Sequence, residues 1–192
     1  MIKQMIIIVV MILLVGFSVY RNNPEGKAGG QMDSTTGTQV NNPPNVEELP
    51  RIGFKAPHFT LKALDGKSYS TQQLDGVPVI INFWASWCGP CKAEAPEFVR
   101  LYDKYRNGLE IYAVNLTLQD NIVDVKSFVD SYGFIFPILL DEDRQNQIAD
   151  RYQVLAIPTT FFIDRNGIVV DKITGITDPK SLEKKFKNLI SR

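Results

Sequence analysis

Three patterns of apolar and polar residues divide the chain. Met5 to Tyr20, MIIIVVMILLVGFSVY, runs 16 residues without a charge. Asn22 to Pro50 shows no apolar periodicity and is rich in Asn, Gly, Thr, Gln and Pro, as in TTGTQVNNPPN. From Arg51 onward, apolar residues recur two apart or three to four apart, the periods of strands and helices. As a helix the first run covers roughly 24 Å at ~1.5 Å per residue, and Ile2 with a snorkelling Lys3 extends it toward a ~30 Å hydrocarbon core. A cleaved signal peptide is the alternative, but no A-x-A exit follows the run. We therefore read 1–21 as a signal anchor and single-pass transmembrane helix. Residues 22–50 read as a flexible linker with a reach of roughly 30 Å. Residues 51–192 form one domain, expected at the cell membrane on its extracytoplasmic side.

Within that domain, Phe59-Thr60-Leu61 and Lys67-Ser68-Tyr69 flank an Asp65-Gly66 turn and predict a small hairpin. Thr71 to Leu74 suits one helical turn. Val79 to Trp84, VIINFW, is a nearly unbroken apolar run and predicts a buried strand. A helix over Gly89–Tyr105 follows, with Phe98, Leu101, Tyr102 and Tyr105 at helical spacing and Pro96 expected to kink it. Further strands are expected over Leu109–Leu116, Pro137–Leu140, Pro158–Ile163 and Ile168–Ile173. Helices are expected over Asn121–Tyr132 and Asp143–Tyr152. The first should turn Ile122, Val125, Phe128, Val129 and Tyr132 inward. Asp178 as cap and Pro179 at the first position open a last helix, buried along Leu182, Phe186, Leu189 and Ile190. Alternating strands and helices closed by a hairpin and a helix predict an α/β fold. It has a central mixed β-sheet flanked by helices, an extra N-terminal hairpin and a strand–helix insertion.

Charge narrows the partners. With 21 basic and 21 acidic residues the net charge is zero, and without a basic stripe nucleic acid is not an expected partner. The only two cysteines are Cys88 and Cys91, and the only histidine is His58, so no ordinary zinc site can be assembled and no metal is expected. His58 reads as a surface residue.

The chemistry sits in VIINFWASWCGPCKAEAP. A strand that stops at Ala85-Ser86-Trp87 and a helix that opens after Cys88 place the first sulfur at a helix N-terminus. There the dipole and free N–H groups favour thiolate over thiol. Disulfide exchange needs one acidified thiol and a second to resolve the mixed disulfide, and C-x-x-C supplies both. Cys88 is the expected nucleophile and Cys91 the resolving thiol. A metal pair or inert core cysteines are the weaker alternatives. Glu94, three residues after Cys91, lies on the same helix face. A desolvated carboxyl there could move the Cys91 proton, and a merely solvated helix glutamate is the alternative.

FWASWCGPC with a later Ile157-Pro158-Thr159 resembles the thioredoxin superfamily. Adding Ala56-Pro57-x-Phe59 and NFWASWCGPCKAEAP makes the chain similar to the ResA/TlpA-like membrane-anchored thiol–disulfide oxidoreductases, from about Gly53 to Ile190. The resemblance implies a thioredoxin-like fold and no cofactor. It implies that Pro158 is cis and faces the cysteines, that Ile157 pairs with an extended substrate, and that Trp87 stands at the rim while Trp84 is core. It supports Glu94 as a catalytic carboxyl, because Asn82 occupies the place of the buried aspartate of thioredoxin. It further implies protein disulfide substrates, among them the haem-binding cysteine pair of apocytochrome c or a spore-envelope substrate. A membrane thiol-transporting protein would be the electron donor.

Two rival activities remain open. A peroxiredoxin-type peroxidase expects Thr or Ser three residues before its cysteine, where this chain has Ala85. A copper-delivery protein expects C-x-x-x-C and a distal histidine, and neither is present.

Overall fold

The computed structural model describes residues 47–192 apart from Asp75 and Asn146. The apolar segment 1–21 and all but the end of the 22–50 stretch therefore lie outside the described residues. Among the described residues, no helix is long and apolar enough to cross a membrane. Glu48 to Pro50 already engage the domain: Glu48 bridges to Lys55, the Leu49 N–H donates to the Lys55 carbonyl, and Pro50 is buried.

The fold grows from one strand. Strands β1 (Thr60–Lys62) and β2 (Ser68–Ser70) form the antiparallel hairpin, followed by a 3-10 turn at Thr71–Leu74. Strand β3 (Val79–Trp84) leads into helix α1 (Gly89–Tyr105), then β4 (Glu110–Asn115), α2 (Ile122–Tyr132) and β5 (Ile138–Leu140). Helix α3 (Ile148–Arg151), β6 (Thr159–Ile163), β7 (Val169–Thr174) and α4 (Pro179–Ile190) complete the chain. The five-stranded sheet runs β5-β4-β3-β6-β7, with β3, β4 and β5 parallel and β6 and β7 antiparallel. Being central, β3 is covered on both faces, which is why all six of its residues are buried.

Alternation along β3 sends Ile80 and Trp84 to one face and Val79, Ile81 and Phe83 to the other. The first face carries α1, α2 and α4 through Phe98, Leu101, Phe128, Leu182 and Phe186. The second is closed by the hairpin (Phe59, Leu61, Ala63) and by Ile148, Ala149 and Tyr152. Helices thus flank the sheet on both sides, long on one and a single turn on the other.

Two expectations change. The helix expected over Asp143–Tyr152 shrinks to Ile148–Arg151, because the fully buried Asp141 carboxylate accepts the Ile148 and Ala149 N–H groups, both at 2.9 Å. An Asp143 turn, with the Gln145 N–H on its carboxylate, fills part of the intervening stretch. On α2, Val125 and Phe128 are buried but Ile122 is 40% exposed, since it opens the helix beyond the edge of the core. Helix α1 runs as one element through Pro96. Lys92 and Pro96 are both exposed, so water can take the Lys92 carbonyl that Pro96 leaves unpaired. Asp141→Ala strands two buried N–H groups and should lower stability by about 2 kcal/mol, read by chemical denaturation.

Candidate active site

The parallel step from β3 to β4 brings their C-terminal ends and the start of β6 to one edge of the sheet. The site is built there. Cys88 is the N-cap of α1, in extended conformation (φ −76°, ψ 112°), and its Sγ accepts the Cys91 N–H at 3.2 Å. The two cysteines form a disulfide with Cα atoms 5.3 Å apart. Both are buried, at 4% and 2% exposure, so the first sulfur is less open than a helix-end position alone implies. The cover comes from the segment before β6: the Ile157 carbonyl oxygen lies 3.8 Å from Cys88 Sγ. The Ile157–Pro158 bond is cis and Pro158 is buried. Trp87 is 55% exposed beside Cys88, and its indole N–H donates to the Gln119 carbonyl at 2.7 Å, while Trp84 is core.

Glu94 reaches inward. It lines a narrow cleft with Cys91, Asn82 and Trp84, roofed by phenylalanines, with only ≈ 10 Å³ free, about the room of one water. Burial pushes its carboxyl up to about 7, opposed by the hydrogen bond that Asn82 Nδ2 donates to Oε1 at 2.9 Å. Asn82 Nδ2 also donates to Thr160 Oγ1 on β6, at 3.0 Å. Asn82 thus joins the strand carrying the motif, the helix carboxylate and the strand after Pro158. A carboxyl raised to near neutrality that shares a cleft with the Cys91 sulfur is suited to proton transfer at physiological pH.

Sequence reasoning missed the residues that hold the turn ahead of Cys88. Asp120 Oδ2 accepts the Ser86 N–H at 2.6 Å and Asn115 Nδ2 at 2.8 Å. Its Oδ1 accepts the Ser86 hydroxyl in a short bond and the Asn121 N–H at 2.8 Å. Burial works against the Asp120 charge, but bonds from Ser86, Asn115 and Asn121 outweigh it and hold the carboxyl below its usual range. Asn115, a fully buried polar residue ending an apolar strand, was the available signal. His58 is remote from this edge: it meets Glu48 and Thr71 and lines a hollow with Val79 at the opposite end of β3. Among the described residues, no three His, Cys, Asp or Glu side chains gather as metal ligands.

Residues 52–172 match the AhpC/TSA family. The chain is 41% identical over 139 residues to the thiol-disulfide oxidoreductase ResA of Bacillus subtilis, covering 72% of this chain and 75% of that protein. It belongs to the ResA-like thiol–disulfide oxidoreductases of the AhpC/TSA family. A crystal structure from Chlorobium tepidum, described as a thiol:disulfide interchange protein DsbE, superposes with TM-score 0.65 at 32% identity, covering 73% of this chain and 98% of that one. A secreted Mycobacterium tuberculosis disulfide oxidoreductase superposes with TM-score 0.61 at 25% identity, over 68% and 96%. As a member of this family the chain is an enzyme with a thioredoxin-like fold that exchanges thiols and disulfides. These relationships favour disulfide exchange over the peroxidase and copper-delivery alternatives.

Proposed function

We propose that this chain is a membrane-anchored, extracytoplasmic protein-disulfide reductase in which Cys88 attacks, Cys91 resolves and Glu94 carries the proton. The observation that carries the reading is the Glu94 carboxyl held with Cys91 in one narrow cleft, its pKa raised to about 7. In the reduced enzyme the Cys88 thiolate attacks a substrate disulfide, forming a mixed disulfide and releasing one substrate thiolate. Glu94 then takes the Cys91 proton, and the Cys91 thiolate attacks Cys88 Sγ. The second substrate sulfur leaves, and two electrons have passed to the substrate. The Cys88–Cys91 disulfide that remains is recharged by a membrane thiol-transporting donor.

Trp87, Ile157 and Pro158 form the substrate rim, where the Ile157 backbone offers an extended segment a pairing edge. The haem-binding cysteine pair of apocytochrome c suits such a rim, and cytochrome c maturation is the function we favour. A spore-envelope disulfide is the second substrate class, the one the family resemblance also implies. Residues 1–21 supply the anchor, and the stretch from 22 to the point where Glu48 joins the domain supplies the linker.

Direction is the decisive measurement. With Gly89-Pro90 between the cysteines, as in thioredoxin, the Cys88–Cys91 couple should lie toward the thioredoxin value of about −270 mV. A value near or above about −150 mV makes the chain an oxidant and overturns the reductant assignment. Disulfide reduction should proceed without peroxide consumption or copper retention in parallel assays.

A further inference from the structure

The structure assigns Asp120 a second task besides holding the turn: we propose that its fixed anion opposes the positive end of α1 and keeps the Cys88–Cys91 pair reducing. The placement is what argues for it. A carboxylate that merely fastened a loop could do so from solvent with one bond. Asp120 accepts four, two of them from Ser86, and it is bound to the backbone two residues before Cys88.

With ~3.8 Å between successive Cα atoms, two such steps and the bond to the Ser86 N–H hold the charge within roughly 14 Å of the Cys88 sulfur. The intervening residue, Trp87, is exposed, but Ala85, Ser86 and Cys88 around it are buried, so part of the path from Asp120 to the sulfur runs through protein rather than water. At the same helix end, α1 presents about half a positive charge and its unpaired N–H groups to Cys88, one of which, from Cys91, already bonds the sulfur. The dipole stabilises the thiolate, and Asp120 works against it.

The consequence is a choice of redox direction. Anything that stabilises the Cys88 thiolate stabilises the reduced pair and makes the protein a stronger oxidant. A helix N-terminus acting alone drives the pair that way. A permanent anion behind the turn moves it back toward a reductant, which needs a thiol that gives up its electrons. The other titratable groups near this edge include Lys92 on α1 and Asp124 on α2, which line one groove with Trp87 and oppose each other in sign, Glu94 beneath Cys91, and Asp141 after β5, whose N–H donates to the Asn115 carbonyl and whose carboxylate is taken up by the Ile148 and Ala149 N–H groups. Asp120 is the carboxylate tied to the turn itself. It touches neither sulfur nor the substrate rim, so it is a positioning residue that acts through Cys88.

The test is a titration of the Cys88 thiolate by its ultraviolet absorbance, with the reduction potential measured against glutathione, in the whole domain carrying Asp120→Asn. Loss of the charge should lower the Cys88 pKa by about half a unit and shift the potential upward, with Asp120→Glu restoring both toward the parent values. Asp120→Ser, neutral and one carbon shorter, serves as the second variant should the Asn form not fold, and it should shift both readings in the same direction. A purely structural role predicts a lower melting temperature with the Cys88 pKa and potential unmoved, and that result in both neutral variants overturns the proposal. The readout uses the protein alone, so an error in the proposed substrate or direction of electron flow leaves it unaffected.

Discussion

Replacing Cys88 with serine should reduce disulfide exchange to background, a loss of roughly a thousandfold or more, as for enzymes deprived of their nucleophile. Serine keeps the N-cap, because its hydroxyl can accept the Cys91 N–H that Sγ accepts now, so α1 should keep its start. What disappears is the thiolate, which at neutral pH no hydroxyl replaces. The partner substitution separates the roles. Cys91→Ser leaves attack intact but removes resolution, so the enzyme should accumulate as a mixed disulfide with its substrate through Cys88, visible as a shifted band on non-reducing gels. If the trapped sulfur were Cys91 in the converse variant, the assignment of nucleophile and resolver would be reversed. The trapped adduct also identifies the substrate, by mass spectrometry from membranes or the exported fraction, and so decides between an apocytochrome and a spore-envelope protein.

The second large effect concerns Glu94 and has a sign that pH reveals. In the folded, oxidised protein its carboxyl is raised from 4.5 to about 7, chiefly by burial. The folded state therefore binds more protons than the unfolded one between these values, and stability must fall as pH rises across that interval. Below about pH 4.5 the carboxyl is neutral in both states and costs nothing. Above about pH 7 the full cost of ionising it in the cleft is present, up to about 3 kcal/mol before its partial exposure is discounted.

Glu94→Gln keeps the oxygen that accepts from Asn82 Nδ2 and removes the charge. The variant should match the parent in denaturation midpoint near pH 4 and exceed it at pH 8. The same change should slow resolution of the mixed disulfide by about tenfold to a hundredfold and abolish the rate step near pH 7. A Gln variant with the parent's pH–rate profile would remove Glu94 from the mechanism, and one with the parent's pH–stability profile would show its carboxyl to be solvated. Greater stability with lower activity is the pattern expected where a charge is held in an unfavourable place for chemical use.

Much of the fold was legible because its signals are local. Strand β3 and helix α1 carry the bounds their pattern predicts, since a run of apolar residues ending at a turn and a cysteine N-cap leave few alternatives. The Asp178 cap with Pro179 likewise sets the start of α4, with the carboxylate accepting the Ser181 N–H at 3.0 Å. The segment before α3 departs from its local helical pattern for a non-local reason. Asp143 to Gln147 carries helix-compatible residues, and only the burial of Asp141 beneath the sheet edge decides that the backbone turns there first.

The site divides the same way. The C-x-x-C pair, its place at a helix start and the helix face shared by Cys91 and Glu94 follow from spacing along one element, and the chain itself determined them. Tertiary structure alone decided that Ile157 covers Cys88, that Asn82 ties Glu94 to Thr160, and that Asp120 grips the turn at Ser86. These contacts join residues 69, 12, 78 and 34 positions apart. Their partners are polar groups whose burial, and therefore whose hydrogen bonds and acidity, exists only once the sheet has brought its strand ends together.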